Sequence, residues 1–159
     1  GTFQAQVLPS GMSTIVITVR GQAESRIAPE IATVRLSVEF DGPDRSEVMQ
    51  RTSRLGEVVC DEIEQLSDDD AVSEWSSDQL TVSSSRPWNN EGKQLPPTHT
   101  ASLAFRVAFV DLSRLSGWIS TIAERDGVRI GGITWDVTPE TRKRVERETV
   151  GRAVANAVE

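Results

Sequence analysis

Side chains able to carry covalent or acid–base chemistry are few in this chain of 159 residues, which holds one histidine, His99, and one cysteine, Cys60. A Ser-His-Asp relay needs a serine hydroxyl that a histidine deprotonates while a carboxylate orients the ring. Serines abound, but no G-x-S-x-G elbow occurs, and His99 opens an alternating run beside a polar loop, the setting of a surface or partner-contacting imidazole. One histidine and one cysteine far apart make no zinc set. The run Asp68-Asp69-Asp70 lacks the glycine and closing glutamate of a calcium loop and reads as a solvated run or helix terminus. Glu62 and Glu64 have no second carboxylate at the defined spacing that acid–base hydrolysis requires. Gly131-Gly132 lacks the Lys-Ser/Thr of a phosphate loop and sits within a strand pattern. Cys60 has no basic neighbour to lower its pKa and reads as a small packing residue. The residues therefore assign no catalytic, cofactor or metal set, and the expectation is a non-enzymatic chain.

The unusual feature that remains is Trp88, flanked by Arg86 and Pro87 and followed by Leu95-Pro96-Pro97. A tryptophan beside an arginine has the composition of an interface anchor. The other reading is that Trp88 folds back to cap its own sheet. Candidate contact residues are Arg86, Trp88, Leu95 and His99. They lead to a self-associating interaction module with the 84–98 loop and the open sheet edges as its surfaces, a homo-oligomer that could also take a protein partner. The alternative is a small-molecule-binding protein or hydrolase with a pocket under that loop and His99 beside it.

These residues must be positioned by elements that hydrophobic periodicity makes visible. Ile15–Arg20 alternates, and Gly21 permits a bulge where that strand bends before Pro29 ends the segment. Ile31–Phe40 puts Ala32, Val34, Leu36, Val38 and Phe40 on one face and Thr33, Arg35, Ser37 and Glu39 on the other, a half-buried antiparallel strand. Asp44 with Glu47 has capping-box spacing for a helix running to about Gln65, with Val48, Thr52, Leu55, Val59, Ile63 and Leu66 as its apolar stripe. Val72–Ser84 is a weaker strand region. Residues 84–98 are rich in Pro, Gly and Asn and form a loop longer than a hairpin requires. His99–Val110 is a strong strand with Ala101, Leu103, Phe105, Val107 and Phe109 on one face. Asp111-Leu112-Ser113 starts a second helix with Leu115, Trp118, Ile119 and Ile122 inward, closing at Gly127. Val128–Val137 is a strand interrupted by Gly131-Gly132, where a bulge or close backbone approach is expected. Thr138-Pro139 caps and opens a third helix that is still running at Glu159 and reads as cut short. The fold class is α+β, mainly antiparallel, in the order β-β-α-β-β-α-β-α, with helices packed on the sheet. Residues 1–13 are expected to be a loose arm or a remnant, and residues 14–159 one domain.

Composition narrows the partners. Net charge is −7, against the surplus of Lys and Arg that nucleic-acid binding needs. Residues 1–100 carry 8 basic and 16 acidic side chains, whereas residues 101–159 carry 9 and 8. The Arg-rich part, ETRKRVERETVGR, alternates acids with bases and reads as a solvated helix laced with ion pairs. No apolar run reaches the roughly 18 residues of a membrane span. One cysteine leaves no internal disulfide framework. The stretch GTFQAQVLPSG has neither a charged n-region nor a long apolar h-region. A natural start at Met12, and hence a cytoplasmic chain, is the expectation; the alternative is an exported, periplasmic or cell-envelope protein.

With its elements placed, Ile15–Phe40 resembles the opening of a SIMPL domain, a family labelled as a domain of unknown function. That opening is a strand ending in Val-x-Gly, then Pro-Asp-x-Ala before an alternating strand. Here the matching residues are Val19-Arg20-Gly21 and Pro29-Glu30-Ile31-Ala32-Thr33-Val34. SSDQLTVSSSRPW resembles the family strand leading into a Pro-aromatic loop. HTASLAFRVAFVDLSRLSGWI is similar to its long strand with an Asp-Leu helix start, and DGVRIGGITWDV to its Gly-bounded strand. The likeness runs from Ile15 to about Ala157. Glu30 replaces the usual Asp, His99 stands where an aromatic is common, and Gly151-Arg152 falls where the family is Ala-rich. The resemblance implies an α+β fold, a tendency to self-assemble, export in most members, and links to stress protection or signalling partners. It implies no catalytic site.

Overall fold

The computed structural model describes residues 3–8, 14–19 and 23–158. Among them are eight strands and three helices: β1 Phe3–Leu8, β2 Thr14–Val19, β3 Ala23–Ile27, β4 Ile31–Gly42, α1 Arg45–Asp68, β5 Val72–Ser77, β6 Thr81–Ser85, β7 Thr98–Phe109, α2 Leu112–Ile122, β8 Val128–Asp136 and α3 Pro139–Val158. The α+β class and the mainly antiparallel pairing expected from the alternation are present. The chain divides into two compact units, residues 33–133 and residues 1–32 with 134–159.

The larger unit is built on a five-stranded sheet ordered β5-β7-β4-β8, with β6 also paired to β7. Both short strands run antiparallel to β7 and share one of its edges. β6 covers Thr98–Ser102 and β5 covers Phe105–Phe109. β8 lies antiparallel to β4, since the Glu39 amide donates to the Gly127 carbonyl while Gly131 lies opposite Arg35. A side chain at Gly131 would meet the Arg35 carbonyl oxygen at 3.3 Å, so the expected close backbone approach is there.

Alternation decides which face is covered. Val34, Leu36 and Val38 of β4 and Ala101, Phe105, Val107 and Phe109 of β7 are buried. Helix α1 packs on that face: Gly56 leaves the space that Leu103 fills, and a Cβ there would lie 2.6 Å from Leu103 Cδ2. Helix α2 reaches the same face, with Trp118 tilted against Phe109 at 5.5 Å between ring centres. The buried stripe of α1 is Val48, Thr52, Gly56, Val59, Ile63 and Leu66. Gly56, not the expected Leu55, therefore takes the close position. Thr52 is tolerated in this core because its hydroxyl donates back to the Val48 carbonyl at 2.9 Å, which satisfies the group internally.

The helix starts follow their caps. Asp44 Oδ1 accepts the Glu47 amide at 3.2 Å, and α1 continues three residues past the expected Gln65. Asp111 Oδ1 accepts the amides of Ser113 and Arg114 and the Ser113 hydroxyl. Those bonds, led by the Ser113 hydroxyl, hold the Asp111 carboxyl below the usual carboxylate range. Helix α2 ends at Ile122, short of the expected stop at Gly127. Gly127 instead has φ of 92° in the turn before β8, a left-handed conformation that favours glycine.

In the smaller unit, β1-β2-β3 form an antiparallel three-stranded sheet. Two expectations are corrected here. Phe3–Leu8, placed in a loose arm, is a strand paired with β2 from Phe3↔Val19 to Leu8↔Thr14. The rest of that arm lies outside the described residues. Where one bent segment was expected, β2 and β3 are two strands that pair antiparallel, Val19 with Ala23 and Ile15 with Ile27; Gly21, where the bend was expected, lies outside the described residues. Helix α3 packs on β2 and β3, and Ile15, Ile17, Val137 and Val145 form a core with Ile27 against it. Thr138 opens α3 as expected, its Oγ1 accepting the Thr141 amide at 3.2 Å. Thr149 repeats the solution of Thr52, donating to the Val145 carbonyl at 2.6 Å.

Candidate functional site

The stretch from β6 into β7 holds all four residues singled out from the sequence. Strand β6 is tied to β7 by the register Ser84↔His99 and Ser85↔Thr98. Beyond it, residues 87–95 close into a small hairpin. The Leu95 amide donates to the Pro87 carbonyl at 2.7 Å, and the Asn89 amide to the Lys93 carbonyl at 2.8 Å. Trp88 and Gln94 make an antiparallel bridge. The Asn89 side chain pins the turn, its Oδ1 accepting the amides of Glu91 at 3.0 Å and Lys93 at 2.8 Å. Gly92 turns with φ of 79°, a position for a residue without Cβ strain. The Pro- and Asn-rich composition thus encodes a second, smaller hairpin at the end of the first.

The hairpin presents its apolar residues outward. Trp88 is 66% exposed and Leu95 37% exposed, and Arg86 is exposed as well. Trp88 does not fold back to cap the sheet. The backbone pairing of 87–95 sets Leu95 opposite Pro87 and Gln94 opposite Trp88. Arg86 makes no ion pair among the described residues.

His99 lies at the base of this hairpin, half-buried, with its Nδ1 2.6 Å from Ser84 Oγ. A serine beside the imidazole was not singled out by sequence; only the β6–β7 register creates the pair. Among the described residues no carboxylate bonds the ring, so nothing there holds the imidazole as the third member of a relay does.

The other candidate groups have structural partners. Glu62 meets Arg125 in a two-pronged ion pair, Nη1 to Oε2 and Nη2 to Oε1. It ties α1 to the turn after α2, and bonding to Glu62 raises the Arg125 pKa. Asp69 pairs with Arg114 at 3.2 Å and accepts from Gln65. Cys60 is half-buried; desolvation, then the nearby Glu64, Asp61 and Glu57 carboxylates, pushes its thiol above the ordinary value. Among the described residues no three potential metal-ligating side chains cluster, and no helix is long and apolar enough to cross a membrane.

A helix-backed antiparallel sheet with an ordered hairpin at one edge that exposes Trp88 below a polar turn defines an α+β class of domain. The chain matches the SIMPL family model, described as a protein of unknown function (DUF541), over residues 17–159. It belongs to that family. No curated protein matches it.

Proposed function

We propose that this chain is a non-enzymatic interaction module that associates with further copies of itself through the 84–98 hairpin and the neighbouring sheet edge. The observation that carries this reading is Trp88, 66% exposed on a hairpin whose backbone is closed by its own hydrogen bonds. An exposed indole on a freely moving loop would lose much of its binding free energy to ordering; one on a closed turn is already held. Tryptophan and arginine are the residues that dominate protein contacts when desolvated, and Arg86 stands two residues away. A stress-related setting belongs to this reading through the family resemblance alone.

The test is mass in solution by light scattering across a range of concentrations. Wild type is expected above monomer mass, and Trp88→Ala is expected to shift it toward monomer with a dissociation constant at least roughly 30-fold weaker, the loss typical of an anchor worth about 2 kcal/mol. A strict monomer at high concentration, unaltered by Trp88→Ala, overturns the proposal.

A second reading rests on the contact of Ser84 Oγ with His99 Nδ1: a small-molecule binder or hydrolase working beside the loop. It predicts that a fluorophosphonate serine probe labels Ser84, and that labelling is lost in both Ser84→Ala and His99→Ala. Absence of labelling in wild type, with the fold intact, removes the hydrolase form of this reading.

A further inference from the structure

Helices α1 and α2 pack on one face of the five-stranded sheet, so residues of opposite parity face away from them. On β7 these include Ala104, Arg106 and Ala108; on β4 they include Arg35 and Ser37. The register Ser76↔Arg106 puts Ser76 of β5 on the same side. A cavity of about 500 Å³ opens there, lined by Arg35, Ser37, Ser76, Asp78, Arg106 and Gly131 among others. That volume lies within the range of small-molecule sites.

Three observations give the cleft a chemistry. Arg35 and Arg106 are both exposed, and neither side chain makes a hydrogen bond or ion pair among the described residues. The chain has 24 acidic side chains to 17 basic ones, so a shortage of carboxylates does not explain two unengaged guanidiniums lining one cleft. Their neighbours in the lining include Ser37 and Ser76. At Gly131 the wall is bare backbone lying against Arg35.

We propose that this cleft binds a small phosphomonoester, its phosphate taken by Arg35 and Arg106 with the serine hydroxyls, and its body carrying a hydroxyl or amine that donates to Asp78. A guanidinium presents its N–H groups as a planar fork that meets two phosphate oxygens at once. Two forks and two hydroxyls supply more donors than a planar carboxylate has lone pairs to use, and they suit a tetrahedral dianion. Asp78, an acceptor when ionised, gives the remainder of the ligand its polarity. The cavity exceeds what a bare phosphate fills. This assignment does not rest on self-association, and the mass of the same samples can be read in parallel.

The experiment is calorimetric titration of the full chain with inorganic phosphate, glycerol phosphate and succinate, each against chloride at matched ionic strength. Saturable binding of phosphate is expected, tighter for glycerol phosphate and absent for succinate. At tenfold its dissociation constant, glycerol phosphate is expected to raise Tm by roughly 3–6 °C. The double variant Arg35→Gln/Arg106→Gln is expected to lose at least tenfold in affinity with an unchanged Tm in chloride, while Arg45→Gln, an exposed arginine on α1, binds as wild type does. Asp78→Ala, which removes the acceptor, is expected to bring glycerol phosphate down to the affinity of phosphate. Should the double variant fail to fold, the single variants Arg35→Gln and Arg106→Gln carry the same comparison. No heat beyond the chloride control, equal binding by the double variant, or succinate binding as tightly as phosphate each overturns the proposal.

Discussion

Replacing Phe109 with alanine is expected to lower stability by about 3–5 kcal/mol, the range for truncating a fully buried aromatic side chain. The ring has no exposed surface and stands where β7 ends, tilted against Trp118. Its removal takes away the transfer free energy of the ring and leaves a void that the sheet backbone cannot close. It also undercuts α2, for which Trp118 is one of three buried residues. Trp118 Nε1 already has no hydrogen-bond partner among the described residues, so this corner of the core has little margin to lose. Phe109→Leu keeps most of the volume and is expected to cost less than half as much. Urea melts of the two variants beside wild type check the ordering; a loss below about 1 kcal/mol for the alanine would show that the contact is not holding α2 to the sheet.

Gly127→Ala is expected to cost about 2–4 kcal/mol although it adds a single methyl group. The left-handed φ of 92° disfavours any Cβ by roughly 1–2 kcal/mol, and this Cβ has nowhere to go. It would lie 2.4 Å from Phe40 Cζ, with both ring Cε atoms inside 3 Å. Phe40 cannot yield freely, because the Arg51 guanidinium sits 4.1 Å above its ring centre and is paired in turn with Asp126 at 3.5 Å. Displacing the ring forfeits the cation–π contact as well as adding overpacking. In the double variant with Phe40→Ala the steric part is expected to vanish and the backbone part to persist. The two losses should therefore fall short of additive by more than about 1 kcal/mol. Additive losses would place the cost of Gly127→Ala in the backbone alone.

The two positions also mark what can be read from a linear chain. Phe109 was legible: strict alternation from Ala101 to Phe109 assigns it inward, and the structure buries it. The same holds for β4, and for the caps at Asp44, Asp111 and Thr138, where short-range side-chain chemistry decides the outcome. Gly127 was visible as a turn residue, but its reason was not, since Phe40 lies on another strand. Gly56 was missed for the same cause; a glycine in a helical stripe looks like a gap until Leu103 is known to fill it. The candidate site divides in the same way. Arg86, Trp88 and Leu95 stood out by type within one stretch, but whether Trp88 turned in or out depended on the Asn89-pinned turn. The Ser84 contact to His99, and the sharing of one cleft by Arg35 and Arg106, depend on strand register and on which strands are neighbours. Alternation fixes a face; it does not fix a partner.

The divided edge of β7 has a mechanical meaning. Two short strands hold the two halves of one long strand, and the Asp78 amide bonds the Ala104 carbonyl at 2.9 Å where one gives way to the other. β5 includes the buried Val72 and packs with α1, whereas β6 has only Val82 half-buried. The outer half is therefore held mainly by backbone pairing, whereas the inner half is held by side-chain packing as well. A load applied at Trp88 would reach the thinly packed outer half before the helix-backed inner half.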